Sequence, residues 1–343
     1  MNIFRLFRIN DWMLNKILFN FSVFMFCILL GRSSLSNVVQ GGISLLIYII
    51  SVGALGYFIN DLFDIQEDKK SGRKNEVGHV SKSIRIVLIL VCLGISSIPV
   101  FVVPKIAFEY SLLVSTQLAL FVLYSAHPIR LKSGAAGLLA DACFSFVIPG
   151  LLAFVLASQQ PVLLIFSDSI LRAGLMGLLF LGIRSIGLHQ IKDVDIDRQA
   201  GVKTFTTKHG EKVTRIIATV ALIAEVVCVL ELIALSNHFL LPVIINSAAL
   251  YVIIEWGIDI RSRKRSRNLN NIASEINQFY NIYLFAGIAI LTGNALHVAG
   301  YFAAVILLLY RLRNELLQLT KKLYYSVVLF LVYKIRGLFR RLK

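Results

Sequence analysis

Apolar runs long enough to cross a bilayer recur along the whole chain, and they leave little room for any fold but a bundle of membrane helices. A helical span needs about 20 mostly apolar residues. Such runs lie near residues 14–31, 40–60, 84–104, 106–125, 134–157, 168–190, 213–235, 238–257, 276–293 and 295–311. In lipid the backbone must satisfy its own polar groups within each segment, which a helix does. Hydrophobic residues make up 57% of the chain, against roughly 45–50% in a soluble domain. No stretch between the runs is polar enough to form a separate soluble domain. The fold class is therefore all-α, a polytopic transmembrane helix bundle.

The charges sort by loop. The formal charge is +16, with 35 Lys and Arg against 19 Asp and Glu. The segments 61–83, 126–133, 191–215 and 258–275 carry many Lys and Arg. The opposite loops, 32–39, 104–106, 158–167 and 236–237, carry only Arg32 and Lys105. Lys and Arg concentrate in cytoplasmic loops, so the basic loops and the N-terminus are expected to face the cytoplasm, with the cell membrane as the expected location. This distribution explains the charge through topology and lipid contact, without nucleic acid. The tail 312–343 is strongly basic, and an even number of spans, ten, returns it to the cytoplasm. Its apolar patch, Tyr324 to Tyr333, is too short to span and reads as a surface-lying amphipathic helix. The first run, followed by Gly31-Arg32-Ser33-Ser34, is read as a retained helix, since no A-x-A site follows it. Cys27, Cys92, Cys143 and Cys228 all lie inside apolar runs without a C-x-x-C pair, and read as small core residues.

Two acidic clusters sit at the ends of apolar runs. The first contains Asn60, Asp61, Asp64, Glu67 and Asp68, and the second Asp193, Asp195 and Asp197. Carboxylates beside a bilayer are costly to desolvate and are functional candidates by default. On a helix, Asp61, Asp64 and Asp68 fall within about 60° of one another, and they repel unless a cation lies among them. Asn60 adds a neutral oxygen. Asp193 and Asp197, four apart, share a face. Asp195 points away in a regular helix, toward Lys192 or Arg198, unless the helix unwinds. Basic residues follow each cluster, which fits hard cations and an anionic substrate. Mg²⁺ takes oxygen ligands and commonly bridges carboxylates to substrate phosphates.

These motifs resemble the UbiA superfamily of intramembrane prenyltransferases. That family's first signature, N-D-x-x-D-x-x-x-D, is complete here at Asn60, Asp61, Asp64 and Asp68. Its second is matched by Asp193, Asp195, Asp197, Gly201, Lys203 and Thr204. A Tyr-Ser…Pro…Arg-x-Lys segment is matched by Tyr124, Ser125, Pro128, Arg130 and Lys132. A further likeness lies in Asn277-Gln278-Phe279-Tyr280-Asn281. The resemblance covers residues 1–293 and implies nine helices around a central cavity. A further membrane helix over 294–311 and the basic tail 312–343 lie outside that pattern. It implies that Asn60, Asp61, Asp64, Asp68, Asp193 and Asp197 hold Mg²⁺ on the pyrophosphate of an isoprenyl donor. Asp61, Asp64, Asp193 and Asp197 would be the catalytic set. Tyr124, Lys203 and Asp195 would complete the substrate contacts. The basic stretch after the first motif lacks the family's Arg-Pro, yet Lys70, Arg73 and Lys74 keep its charge. Arg8, Trp12 and Asn15 resemble the family's opening, again without its Pro.

Other positions stay open on the residues alone. Arg130 and Lys132 fit pyrophosphate, an acidic acceptor or ordinary loop charge. Arg184 would face the second motif on a continuous helix. His189 is read as a hydrogen-bonded structural histidine ahead of a base. Asp141 sits either in the cavity or in an interhelical pair, and Glu225 and Glu231 suit interhelical hydrogen bonds. The leading function is Mg²⁺-dependent transfer of an isoprenyl group from its pyrophosphate to a hydrophobic or amphipathic acceptor, with membrane lipid around it. Terpene cyclisation without a separate acceptor is the alternative in the same fold. A cation-coupled transporter is the alternative of another class, but transporters place ions at mid-membrane on broken helices.

Overall fold

The computed structural model describes residues 3–30 and 34–236, and every regular element among them is helical. The α-helices are α1 (Ile3–Leu6), α2 (Ile9–Leu30), α3 (Leu35–Phe63), α4 (Ile65–Ser71), α5 (Lys82–Val102) and α6 (Ala107–Ser125). They continue as α7 (Ala135–Ala142), α8 (Ile148–Ser158), α9 (Leu164–Ser167), α10 (Ser169–Ala200), α11 (Phe205–His209) and α12 (Glu211–Leu235). A π-helical turn, Cys143–Val147, joins α7 to α8 into one membrane-length rod. Seven helices among the described residues are long and apolar enough to cross a membrane. They coincide with the first seven apolar runs. The runs at 238–257, 276–293 and 295–311, the 277–281 likeness and the 312–343 tail lie outside the described residues.

Local chemistry sets the ends. Ser34 and Ser81 accept N-cap hydrogen bonds from Asn37 and Ile84, and Asp168 accepts from the amides of Ile170 and Leu171 at the start of α10. Each cap satisfies a backbone donor that the first turn leaves unpaired. Gly201 ends α10 at φ 70°, a left-handed conformation that glycine adopts without a Cβ clash.

The helices sort into a lipid face and an inner face. Leu90, Phe101, Phe108, Val220 and Ile223 are exposed, Phe101 by 81%. Apolar side chains so arranged are stable against acyl chains rather than water. The interior is apolar, with Leu45, Val52, Leu55, Phe58, Leu152 and Leu156 almost wholly enclosed. Helix packing within lipid favours small residues at the crossings. At the α7–α10 crossing a Cβ on Gly182 would lie 2.6 Å from the Cα of Ala142, so only glycine admits this approach.

One expectation about α3 needs correction. The first acidic motif does not lie on an unbroken helix. The chain bends at Asp64 (φ −96°, ψ 5°), which ends α3 and begins α4. Asp68 still donates its amide to the Asp64 carbonyl at 2.9 Å, so the stripe is distorted, not dispersed. By contrast α10 is continuous through the second motif to Ala200.

A candidate site for a metal and a pyrophosphate

Both acidic motifs end at the same edge of the bundle. The first arrives on the last turn of α3 and on α4, the second on the last turns of α10, and α4 packs against α10. Arg73, just beyond α4, joins them: its guanidinium lies 3.3 Å from Asp193 and 3.6 Å from Asp197. The shared face of Asp193 and Asp197 is thus observed, while Asp195 points outward, 84% exposed and 3.6 Å from Arg198.

The first motif is clasped by three further cations. Arg8 reaches Asp61 at 3.4 Å and Asp11 at 3.0 Å, and its guanidinium stacks over Tyr57, which stacks in turn on Trp12. Arg130 binds Asp64 at 3.0 Å and also pairs with Glu67, while Lys132 pairs with Asp64. Both Arg130 and Lys132 are buried. The open choice for these two residues therefore narrows, because an ordinary loop charge stays solvated. Loop residue Arg130 takes a left-handed conformation at φ 39°, one that costs a non-glycine residue about 1–2 kcal/mol. The carboxylate contacts hold it there.

Asn75 brackets the motif, and sequence reasoning passed over it. Its amide donates to the backbone carbonyl of Asp61 at 2.7 Å and to the Asp68 carboxylate at 2.8 Å, while its carbonyl accepts from Gly78. Burial pushes the Asp68 carboxyl above its usual range, against the Asn75 hydrogen bond, and nearby Asp64 adds to the rise. Burial also works to raise Glu67, but the hydrogen bond and charge of Arg130 prevail and hold it below the usual range. Asn60 accepts from the Ser125 hydroxyl at 3.3 Å. Lys70, Lys74 and Lys203 are exposed at this same edge.

Five carboxylates, Asp61, Asp64, Glu67, Asp193 and Asp197, thus meet four cations, Arg8, Arg73, Arg130 and Lys132, while Asp68 is held by the Asn75 amide. The cation expected among the first-motif carboxylates is, in this structure, supplied by basic side chains. Among the described residues no three acidic, His or Cys side chains converge on one point. The donor set nevertheless fits Mg²⁺. It is all oxygen, and Mg²⁺ is commonly held by one or two carboxylates together with substrate phosphates rather than by an all-protein cage.

Beneath this edge opens a cavity of about 570 Å³. Asn60, His189 and Lys192 line it, as do Trp12, Tyr57, Phe121, Tyr124 and Phe144 from the surrounding helices. Tyr124 packs edge-on against Phe144, with ring centroids 5.2 Å apart. Asp141 lines the cavity too. His189 stands 3.8 Å from Asp193. Arg184 is corrected: it does not face the second motif but lies 1% exposed in a pair with Glu225 of α12 at 2.7 Å.

Residues 19–274 match the UbiA prenyltransferase family. A C(50) beta-cyclic carotenoids biosynthesis protein, LbtBC, of Dietzia sp. (strain CQ4) is 26% identical over 193 residues, 55% of this chain and 43% of that protein. The chain thus spans less than half the length of that curated relative. A UbiA homolog from Archaeoglobus fulgidus bound to DMAPP and Mg²⁺ superposes with a TM-score of 0.56 at 19% identity, covering 85% of this chain and 100% of that one. The same homolog bound to GPP and Mg²⁺ gives 0.51 at 19% identity, covering 84% and 100%. At such identity these structures establish the shared fold.

Proposed function

Because the chain belongs to the UbiA prenyltransferase family, we propose that it transfers an isoprenyl group from a pyrophosphate donor to a hydrophobic or amphipathic acceptor inside the membrane, with Mg²⁺ as cofactor. The observation that carries this reading is the meeting of two carboxylate clusters over one aromatic-lined cavity. Asp61, Asp64, Asp68, Asp193 and Asp197, with the amide oxygen of Asn60, would hold the metal. Bound there, Mg²⁺ would neutralise the charge that builds on the departing pyrophosphate. The solved homolog holds DMAPP or GPP with Mg²⁺, which supports a donor of this class here.

The chain's own residues divide the remaining work. Arg8, Arg73, Arg130 and Lys132 are the cations nearest the clusters. They hold the carboxylates in register and would serve as phosphate partners for a bound donor. Such charge-assisted bonds are the strong ones, and the planar Arg fork suits phosphate. Lys70, Lys74 and Lys203 supply exposed charge that draws an anionic donor toward the edge. In the cavity the rings of Trp12, Tyr57, Phe121, Tyr124 and Phe144 exclude water. Their faces also suit the cationic allylic carbon. The clusters stand at helix ends rather than at mid-membrane, which disfavours a cation-coupled transporter. We place this edge in the cytoplasm, because the basic loops gather there. The carotenoid-pathway relative supports a place in isoprenoid synthesis.

The reading is tested with protein reconstituted in lipid vesicles and given GPP. Mg²⁺-dependent release of pyrophosphate, coupled to a geranylated lipid detectable by mass spectrometry, is the expected result. GPP left intact in every divalent metal would refute it.

A further inference from the structure

Transfer to an acceptor releases a proton, and the cavity must take it. The allylic C–O bond breaks with its electrons leaving on the pyrophosphate. The acceptor's electrons form the new bond to carbon. One acceptor hydrogen then departs as a proton, and in a cavity walled by aromatic rings it needs a base at hand.

Among the described residues that line the cavity, few can serve. Asp11 is exposed and paired with Arg8 at its mouth. His189 is exposed beside Asp193. Lys16 and Lys192 are amines rather than carboxylates, and Lys16 already donates to the Ser145 carbonyl. Asp141 differs, being a carboxylate inside the bundle that faces the cavity. Its depth follows from the helices. Arg8 is level with Asp61, and Lys16 lies eight residues further along α2, about 12 Å at 1.5 Å per residue. Lys132 is level with Asp64 on the opposite wall, and Asp141 lies in the last turn of α7, which descends from there.

The surroundings of Asp141 form a built polar site. The π-helical turn Cys143–Val147 begins two residues after it and turns two carbonyls toward other helices. Lys16 donates to the Ser145 carbonyl at 3.1 Å, and Gln117 donates to that of Phe144 at 2.7 Å. Tyr48 donates to Gln117 at 2.8 Å. Asp141, Ser145 and Lys16 all line this same cavity. An acid and an amine inside a bilayer are costly, and π-turns gather at functional sites.

We propose, resting on the prenyl-transfer reading above, that Asp141 is the base that takes the proton released at the allylic reaction centre. Lys16, fixed by the Ser145 carbonyl, is the positioning residue that places a cationic side chain on the same cavity. The electron pair of the broken acceptor bond stays with the product, and the proton ends on a carboxylate oxygen of Asp141.

A donor-only reaction isolates this step. With GPP and Mg²⁺ but no acceptor, the allylic cation either meets water and gives prenyl alcohols or loses a proton to Asp141 and gives a conjugated diene. Wild-type protein is expected to release both. Asp141→Asn should shift the diene-to-alcohol ratio at least tenfold toward alcohol, and Asp141→Glu should recover most of it. The double variant Lys16→Met, Asp141→Asn strands no charge, and should show the same shift if the single variant folds poorly. An unchanged ratio in both asparagine variants, or a wild type that makes alcohol alone, overturns the assignment and leaves the departing pyrophosphate as the base. A wild type that cleaves no GPP overturns the underlying transfer reading instead.

Discussion

Alanine at any one of Asp61, Asp64, Asp193 or Asp197 should lower turnover of an isoprenyl pyrophosphate by at least about a hundredfold, or about 2.7 kcal/mol of transition-state stabilisation. Each substitution removes an oxygen donor and takes a carboxylate partner from a neighbouring cation. Without Asp64, Arg130 and Lys132 lose their shared partner. Without Asp193 or Asp197, Arg73 loses one of its two. The pyrophosphate's developing charge then lacks a fixed counter-charge where water is excluded. Asp195→Asn is the internal control. Asp195 stands on the outward face of the same helix, so it should stay within about threefold of wild type. Steady-state turnover of the five variants, each checked for an unchanged melting temperature, tests this. Two of the four alanine variants near wild-type rate, or Asp195 as the most sensitive position, would remove the site.

Breaking the Arg184–Glu225 pair should carry the largest effect on stability. Both side chains are almost wholly buried, and the guanidinium meets the carboxylate through two nitrogens, at 2.7 and 3.2 Å. The pair ties α10, which carries the second motif, to α12. Removing one partner leaves the other charge buried without its counter-charge, at a cost of about 3–5 kcal/mol. Arg184→Met should therefore sharply lower the denaturant midpoint of the protein in mixed micelles. Adding Glu225→Met should recover most of the loss, because two apolar side chains of similar volume leave no charge to solvate. A single variant as stable as wild type, or a double variant as weak as the single, would show that the pair contributes little.

The sequence foretold the seven described spans well, since hydropathy reports what lipid requires of each segment. It stopped one of them short. The run at 168–190 ends where charge begins, yet α10 continues to Ala200. The apolar signal marks the edge of the lipid, whereas helical hydrogen bonding persists into the polar layer. The bend at Asp64 was hidden for the opposite reason: spacing alone implied one stripe, but the chain turns there from α3 into α4. The outward direction of Asp195 was legible from helical period. The partner of Arg184 was not, because Glu225 lies on another helix and no period links them, although its suitability for an interhelical bond was visible. Asn75 gave no signal within a basic stretch, and its role rests on contacts that only the folded chain creates. The π-turn beside Asp141 is a slip in backbone hydrogen bonding, which side-chain pattern does not encode.

The central claim is that the two motifs act together on one metal-bound pyrophosphate. Mn²⁺ can report on this by electron paramagnetic resonance, with protein in lipid nanodiscs and inorganic pyrophosphate as the probe. Tight Mn²⁺ binding should appear only when pyrophosphate is present, and Asp64→Ala and Asp193→Ala should each weaken it at least tenfold. Binding that ignores pyrophosphate, or that survives Asp193→Ala unchanged, would contradict a shared site.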